Sequence, residues 1–161
     1  MFQTSGSIFC NIHHMIAVVQ RVSSAGVFVV DPPHAETISN GLCVLLGVEE
    51  GDGMNDAEWV AKKLTNLRIF ADHEGKMNWS ILDTKGELLL ISQFTLTADC
   101  SQGNRPSFKR AATSQVAEPL IREVRRLLEE YKIPVKCGVF GAMMRVEIEN
   151  DGPVTIVLKQ E

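Results

Sequence analysis

The stretch Leu42 to Val48 reads LCVLLGV and is apolar at nearly every position. A strand with one wet face alternates apolar and polar residues, so an unbroken run of this length reads as a central strand covered on both faces. Upstream, the β-branched runs IAVVQRV (16–22) and GVFVV (26–30) are separated by Ser23-Ser24-Ala25, a spacing that predicts a hairpin. Downstream, EEGDG (49–53) is a turn, and a helix is expected over 55–66. Asn55 would cap it, with Glu58 reaching back and Val60, Leu64 and Leu67 forming the buried stripe. Further strands are expected at LRIF (67–70) and ELLLISQF (87–94), and near 135–140, 143–149 and 154–159. A second helix over 115–131 would bury Leu120, Val124, Leu127, Leu128 and Tyr131. Pro119 within it implies a later start or a bent opening turn, because proline removes a donor. Few helices among many strands imply an α/β domain: a mixed sheet with helices on one side and a second sheet layer covering the rest.

The chain has 161 residues, 45% hydrophobic and 22% charged, which suits one soluble domain and excludes disorder and membrane insertion as expectations. Residues 1–14 contain no Arg, Lys, Asp or Glu, so they match neither a signal nor a transit peptide. They read as a disordered or non-native extension, the domain being 15–161. A net charge of −4 means that any nucleic-acid contact must be local. Cys10, Cys43, Cys100 and Cys137 form no C-x-x-C pair and imply reduced thiols in the cytoplasm. Cys10 with His13 and His14 lacks the second ligand pair of a tetrahedral site, so neither metal nor cofactor is expected.

Chemistry is sought where polar residues interrupt apolar runs. In ISQFTLTAD (91–99), Ser92, Gln93, Thr95 and Thr97 follow a buried segment. On a strand Gln93 and Thr95 share one face, Ser92 and Phe94 the other. They are either half-exposed strand positions or the wall of a ligand site at a strand end. SQGNRPSFKRAA (101–112) gathers Arg105, Lys109 and Arg110 around Phe108, and is either a solvated loop or a patch for phosphate or an RNA end. NDGPVT (150–155) is either a turn before a final strand or a Gly-Pro corner with a cis bond. The histidines are His13, His14, His34 and His73, none within these segments, so a nucleophile–histidine pair has weak support. A hydrolase built this way must act on an already activated bond.

SQFTL (92–96) and NDGPVT (150–155), with MIAVVQRV (15–22), LRIF (67–70), RPSF (105–108) and FGAMMRVEIENDGPVT (140–155) in that order, resemble the D-aminoacyl-tRNA deacylases, also called D-tyrosyl-tRNA deacylases. The resemblance covers the chain from Met15 onward. It implies a three-layer α/β/β fold with mixed sheets, a homodimer, and a cytosolic enzyme that hydrolyses the ester between a D-amino acid, or glycine, and the tRNA 3′ end. It implies a cis Gly152–Pro153 corner inserted into the partner subunit's site, with both carbonyls on the substrate's α-amino group and Arg21 as its buttress. Ser92, Gln93, Phe94 and Thr95 would form the catalytic segment, with Phe94 against the terminal adenosine. Phe108, Ala112, Phe140 and Met144 would contact substrate. Attack by water, helped by the ribose 2′-hydroxyl, is expected over attack by Thr95. The alternatives are a non-enzymatic dimer that binds adenine nucleotides or RNA ends, and a deacylase of misacylated L-alanyl-tRNA. The latter is expected to carry a trans Gly-Pro bond and a different first motif.

Overall fold

A computed structural model describes residues 14–160. The first strand, β1 (Ile16–Val29), runs unbroken through Ser23-Ser24-Ala25, where a hairpin is expected. Small side chains are tolerated here because pairing keeps the strand extended, Ser24 opposite Glu149 and Ala25 between Ile38 and Ile148. The hairpin turn falls instead at 30–33 and leads to β2 (His34–Ile38). Then comes β3 (Gly41–Gly47), the apolar run, which pairs antiparallel with β1 and parallel with β6 (Glu87–Ser92). Its central place accounts for the sequence: Leu42, Cys43, Val44 and Leu46 are inaccessible to water.

Between β3 and β6 lie α1 (Met54–Asn66), the ribbon of β4 (Phe70–Ala71) and β5 (Met77–Trp79), and the short α2 (Ile81–Thr84). The α1 cap is Gly53, whose N–H donates to the Asp56 carboxylate at 2.8 Å, so Asn55 and Glu58 do not cap the helix. Leu67 follows the helix as its C-cap, and the strand expected at 67–70 begins only at Phe70. After β6 the chain turns into a 3-10 segment, Phe94–Thr97, then a loop and α3 (Ser114–Glu130). Pro119 sits in the second turn of α3 on its exposed side, so the carbonyl left without a donor faces water. Tyr131 is the C-cap of α3 and is 42% exposed rather than buried.

The chain ends with β7 (Val135–Cys137) and β8 (Arg145–Lys159). The strands expected at 143–149 and 154–159 are thus one strand, and NDGPVT is not a hairpin turn. Pairing with β1 on both sides of the interruption, over 145–150 and 155–159, keeps β8 continuous across it.

The strand order is β2-β1-β3-β6-β7, with β8 on the free edge of β1. The sheet curls until its ends approach: His34 Nε2 hydrogen-bonds the Cys137 carbonyl at 2.8 Å, and Lys136 pairs with Glu36 at 3.2 Å. The result is a single α/β domain with a mixed, nearly closed, barrel-like sheet. Where a separate second layer is expected, the same sheet folds back. One core packs Val60, Leu64, Leu120, Val124 and Leu128 of the helices on Leu42, Val44, Leu88 and Leu90; the other fills the curl with Val22, Val27, Ile38, Cys43, Leu89 and Ile91. The period-2 alternation of β3 and β6 divides their side chains between these two cores. No described helix is long and apolar enough to cross a membrane.

Candidate active site

The site begins where β6 stops. Gln93 N–H makes a last rung to the Leu46 carbonyl at 2.8 Å, and the chain then turns over Gly47. A Cβ at Gly47 would stand 3.0 Å from the Gln93 carbonyl oxygen and 3.1 Å from Leu96, so glycine lets the turn sit close on β3. The 3-10 turn is closed by Leu96 N–H to Gln93 O at 3.3 Å and Ala98 N–H to Thr95 O at 3.2 Å. The fully buried Thr97 hydroxyl donates to Phe94 O at 2.8 Å. Strand alternation therefore does not apply past Ser92. Gln93 Nε2 donates to Thr95 Oγ1 at 2.5 Å, a local contact that the turn creates. A helix start leaves its first N–H groups outside the ladder, here those of Phe94 and Thr95.

These residues form one wall of a pocket of about 470 Å³. Ser92, Gln93 and Phe94 line it together with Ala112, Phe140 and Met144. Phe94 is 58% exposed and meets Phe108 edge to face, the ring centroids 5.1 Å apart. Exposed aromatic rings beside a concave, largely apolar surface with a few polar groups suit a planar ligand such as a base. Thr95 is exposed and does not line the pocket; it is held at the rim by Gln93. Ser114 and Gly141 to Met143 also line the pocket and are not singled out by sequence. The only signal for them is the Gly-Ala-Met-Met run, which looks like core until its 93%-exposed Met143 is seen.

Arg21, Gly152 and Pro153 stand apart from this lining. Gln20 pairs with Thr155 and Val22 with Asn150, so Asp151–Val154 bulge opposite the single residue Arg21. The Arg21 guanidinium, its side chain 12% exposed, donates from Nε to the Asp151 carbonyl at 3.0 Å and from Nη1 to the Ile69 carbonyl at 2.6 Å. It also pairs with the Asp151 carboxylate at 3.2 Å. Gly152 has φ +134° and the Gly152–Pro153 peptide is cis; both residues are exposed, while Val154 anchors the bulge in the core. A fork of rigid donors suits such a corner because it holds several carbonyls at once.

The 101–112 loop is pinned at its base. The buried Glu49 carboxylate pairs with Arg110 Nη2 at 2.6 Å, Glu50 N–H donates to Arg110 O at 2.8 Å, and Ala112 N–H donates to Val48 O at 3.0 Å. Arg110 thus anchors the loop that carries Phe108, while Arg105 and Lys109 remain exposed. Below this anchor, burial pushes the Asp52 carboxyl up to about 6, although the Glu49 N–H donates to it at 2.6 Å. His14 Nδ1 reaches Asp56 at 3.3 Å; Cys10 and His13 lie outside the described residues.

A carboxyl raised above its unfolded value costs stability once ionised, so its penalty is absent below about pH 4 and complete above the folded value. Asp52→Asn removes that penalty. The melting temperature of the variant relative to the parent is expected to rise between pH 4.5 and pH 8 as Asp52 ionises in the parent. Parallel melting curves across this range would show that Asp52 is not held protonated by the fold.

Residues 18–159 match the family model described as D-Tyr-tRNA(Tyr) deacylase. The chain is 52% identical over 145 residues to a D-aminoacyl-tRNA deacylase of Geotalea uraniireducens, covering 90% of this chain and 93% of that one. It is 52% identical over 144 residues to one of Clostridium botulinum, covering 89% and 96%. Among solved structures, a c-Myc DNA unwinding element binding protein superposes with TM-score 0.82 at 39% identity, covering 91% of this chain and 99% of that one. A probable eukaryotic D-amino acid tRNA deacylase shares the fold with TM-score 0.78 at 13% identity, covering 91% and 99%.

Proposed function

Because the chain belongs to the D-Tyr-tRNA(Tyr) deacylase family, and so hydrolyses the ester between a D-amino acid and the 3′ end of tRNA in translational proofreading, we propose how its pocket and its Gly-Pro corner divide that task. Two chains form a homodimer in the cytoplasm, and the Gly152–Pro153 corner of each enters the pocket of the other. The observation that carries this is the corner itself: an exposed bulge held by a nearly buried arginine, lying apart from the lining of its own chain's pocket. In the partner's pocket its carbonyls would accept from the substrate's α-ammonium. Fixed main-chain acceptors leave that group little slack. With the ammonium and the ester both held, an L side chain would be driven into protein, whereas a D side chain or the hydrogen of glycine would not.

The terminal adenosine lies between Phe94, with Phe108 behind it, and Phe140, Met144 and Ala112. Water adds to the ester carbonyl, the 2′-hydroxyl of the terminal ribose assists its deprotonation, and the 3′-oxygen leaves with a proton. The N–H groups of Phe94 and Thr95, outside the 3-10 ladder, would receive the developing oxyanion, a contribution of about 3–4 kcal/mol per well-aimed donor in comparable sites. Ser92 and Gln93 shape that turn. The Thr95 hydroxyl is already engaged by Gln93 and has no base beside it, which makes it a poor nucleophile.

The test is single-turnover deacylation of D-Tyr-tRNA and L-Tyr-tRNA. Hydrolysis of the D form with the L form spared is expected. Thr95→Ala should retain the rate to within roughly tenfold, since its backbone donor survives. A tRNA ending in 2′-deoxyadenosine should be cleaved far more slowly. Abolition of the rate by Thr95→Ala with intact binding would assign the attack to the threonine. A monomer by light scattering with full activity would exclude the shared site.

A further inference from the structure

A second, smaller groove of about 210 Å³ adjoins the pocket, and Phe140 belongs to both. Resting on the deacylase reading, we propose that this groove carries the sugar-phosphate backbone of the nucleotides preceding the terminal adenosine, with Arg122 and Arg125 as the phosphate ligands. The two arginines, three residues apart, lie on one face of α3 and line the groove with Ile121, Cys137 and Gly138.

Each guanidinium has five N–H donors, and the ion pairs of the fold use one nitrogen each. Arg122 Nη2 meets Glu118 at 3.1 Å, and Arg125 Nε meets Glu129 at 2.9 Å. Glu118 also lines the groove, so the phosphate must compete with a carboxylate. That competition is mild, because the arginine side chains are 72% and 47% exposed and exposed pairs of this kind contribute little. A guanidinium can keep one carboxylate while its other edge takes a phosphate oxygen.

A chain of net charge −4 cannot attract RNA over its whole surface, so cations must be concentrated along the strand's path. Arg105 and Lys109 stand exposed on the loop that carries Phe108 and do not line a groove continuous with the pocket. The Phe140 side supplies charge, concavity and continuity together, which is what a single strand leaving a base pocket needs.

The experiment compares kcat/KM on D-Tyr-tRNA with that on D-tyrosyl-adenosine, which has no phosphate to place in the groove. For Arg122→Gln/Arg125→Gln the ratio of the two should fall by about tenfold or more, through KM. The log–log salt slope on tRNA should shrink by about 1.4, for two single-strand phosphate contacts. Arg122→Lys/Arg125→Lys should recover much of the ratio. Arg126→Gln removes an arginine that does not line this groove and should leave the ratio unaltered. An unchanged ratio and salt slope in the Gln pair, or an equal loss on both substrates, would overturn the proposal. So would a fall in the ratio produced by Arg105→Gln/Lys109→Gln in place of the α3 pair. Failure of the parent protein to cleave either substrate would instead overturn the deacylase reading on which it rests.

Discussion

Gly152→Ala is expected to slow single-turnover hydrolysis of D-Tyr-tRNA by about a hundredfold or more while leaving the fold intact. At φ +134° an L side chain is strained, at a cost of about 1–3 kcal/mol. The new Cβ would also stand 2.9 Å from Val154 Cγ2, 3.0 Å from the Val154 nitrogen and 3.1 Å from Arg21 Nη2. Two of these neighbours are fixed: the nitrogen is backbone, and the guanidinium is already committed to the Asp151 and Ile69 carbonyls. The corner must therefore move, and a displacement approaching 1 Å of a group that positions substrate costs about a hundredfold in rate. The residual rate on L-Tyr-tRNA should not fall in proportion, so the ratio of D to L rates should collapse. Thermal melting reads the structural cost separately. A variant that melts lower yet keeps the D rate to within about threefold would remove the corner from the mechanism.

Arg21→Lys should lower the D-specific rate by about ten- to a hundredfold, although charge is conserved. The ammonium of lysine is a single point on a flexible stem. It can satisfy the Asp151 carbonyl or the Ile69 carbonyl but not both in the geometry of the fork. One carbonyl then loses its partner at a partly buried site, at about 1–3 kcal/mol, and the bulge gains freedom. The same rate assay, with urea unfolding alongside, distinguishes these effects. Loss of stability with full activity would make Arg21 a structural residue alone. Loss of activity exceeding that of Gly152→Ala would indicate that it does more than hold the corner.

Several features were legible because a local pattern encodes them. The apolar run 42–48 announces a strand covered on both faces, and β3 is that strand. The spacing of Leu120, Val124 and Leu128 marks the buried stripe of α3. Of the residues named for the site, Ser92, Gln93, Phe94, Ala112, Phe140 and Met144 line one pocket, and Phe108 joins it through Phe94. Their motif order supports a common site; periodicity alone would have left them as half-exposed strand and core positions.

Other features lay beyond any local pattern. Ser23-Ser24-Ala25 and Asn150-Asp151-Gly152 both have turn composition, yet each lies inside a long strand, because β1 and β8 pair with one another and override local preference. The break after Ser92 is set by the close approach of the turn to Gly47, a residue far away in sequence. Arg21 has no sequence neighbour that reveals its role; only the β1–β8 register puts it under the bulge. The amino-acid order by itself determined which segments must be buried, since hydrophobic period is a local property. The tertiary structure decided where strands continue, which carbonyls an arginine holds and which walls share a pocket, since each depends on partners brought together only when the sheet curls.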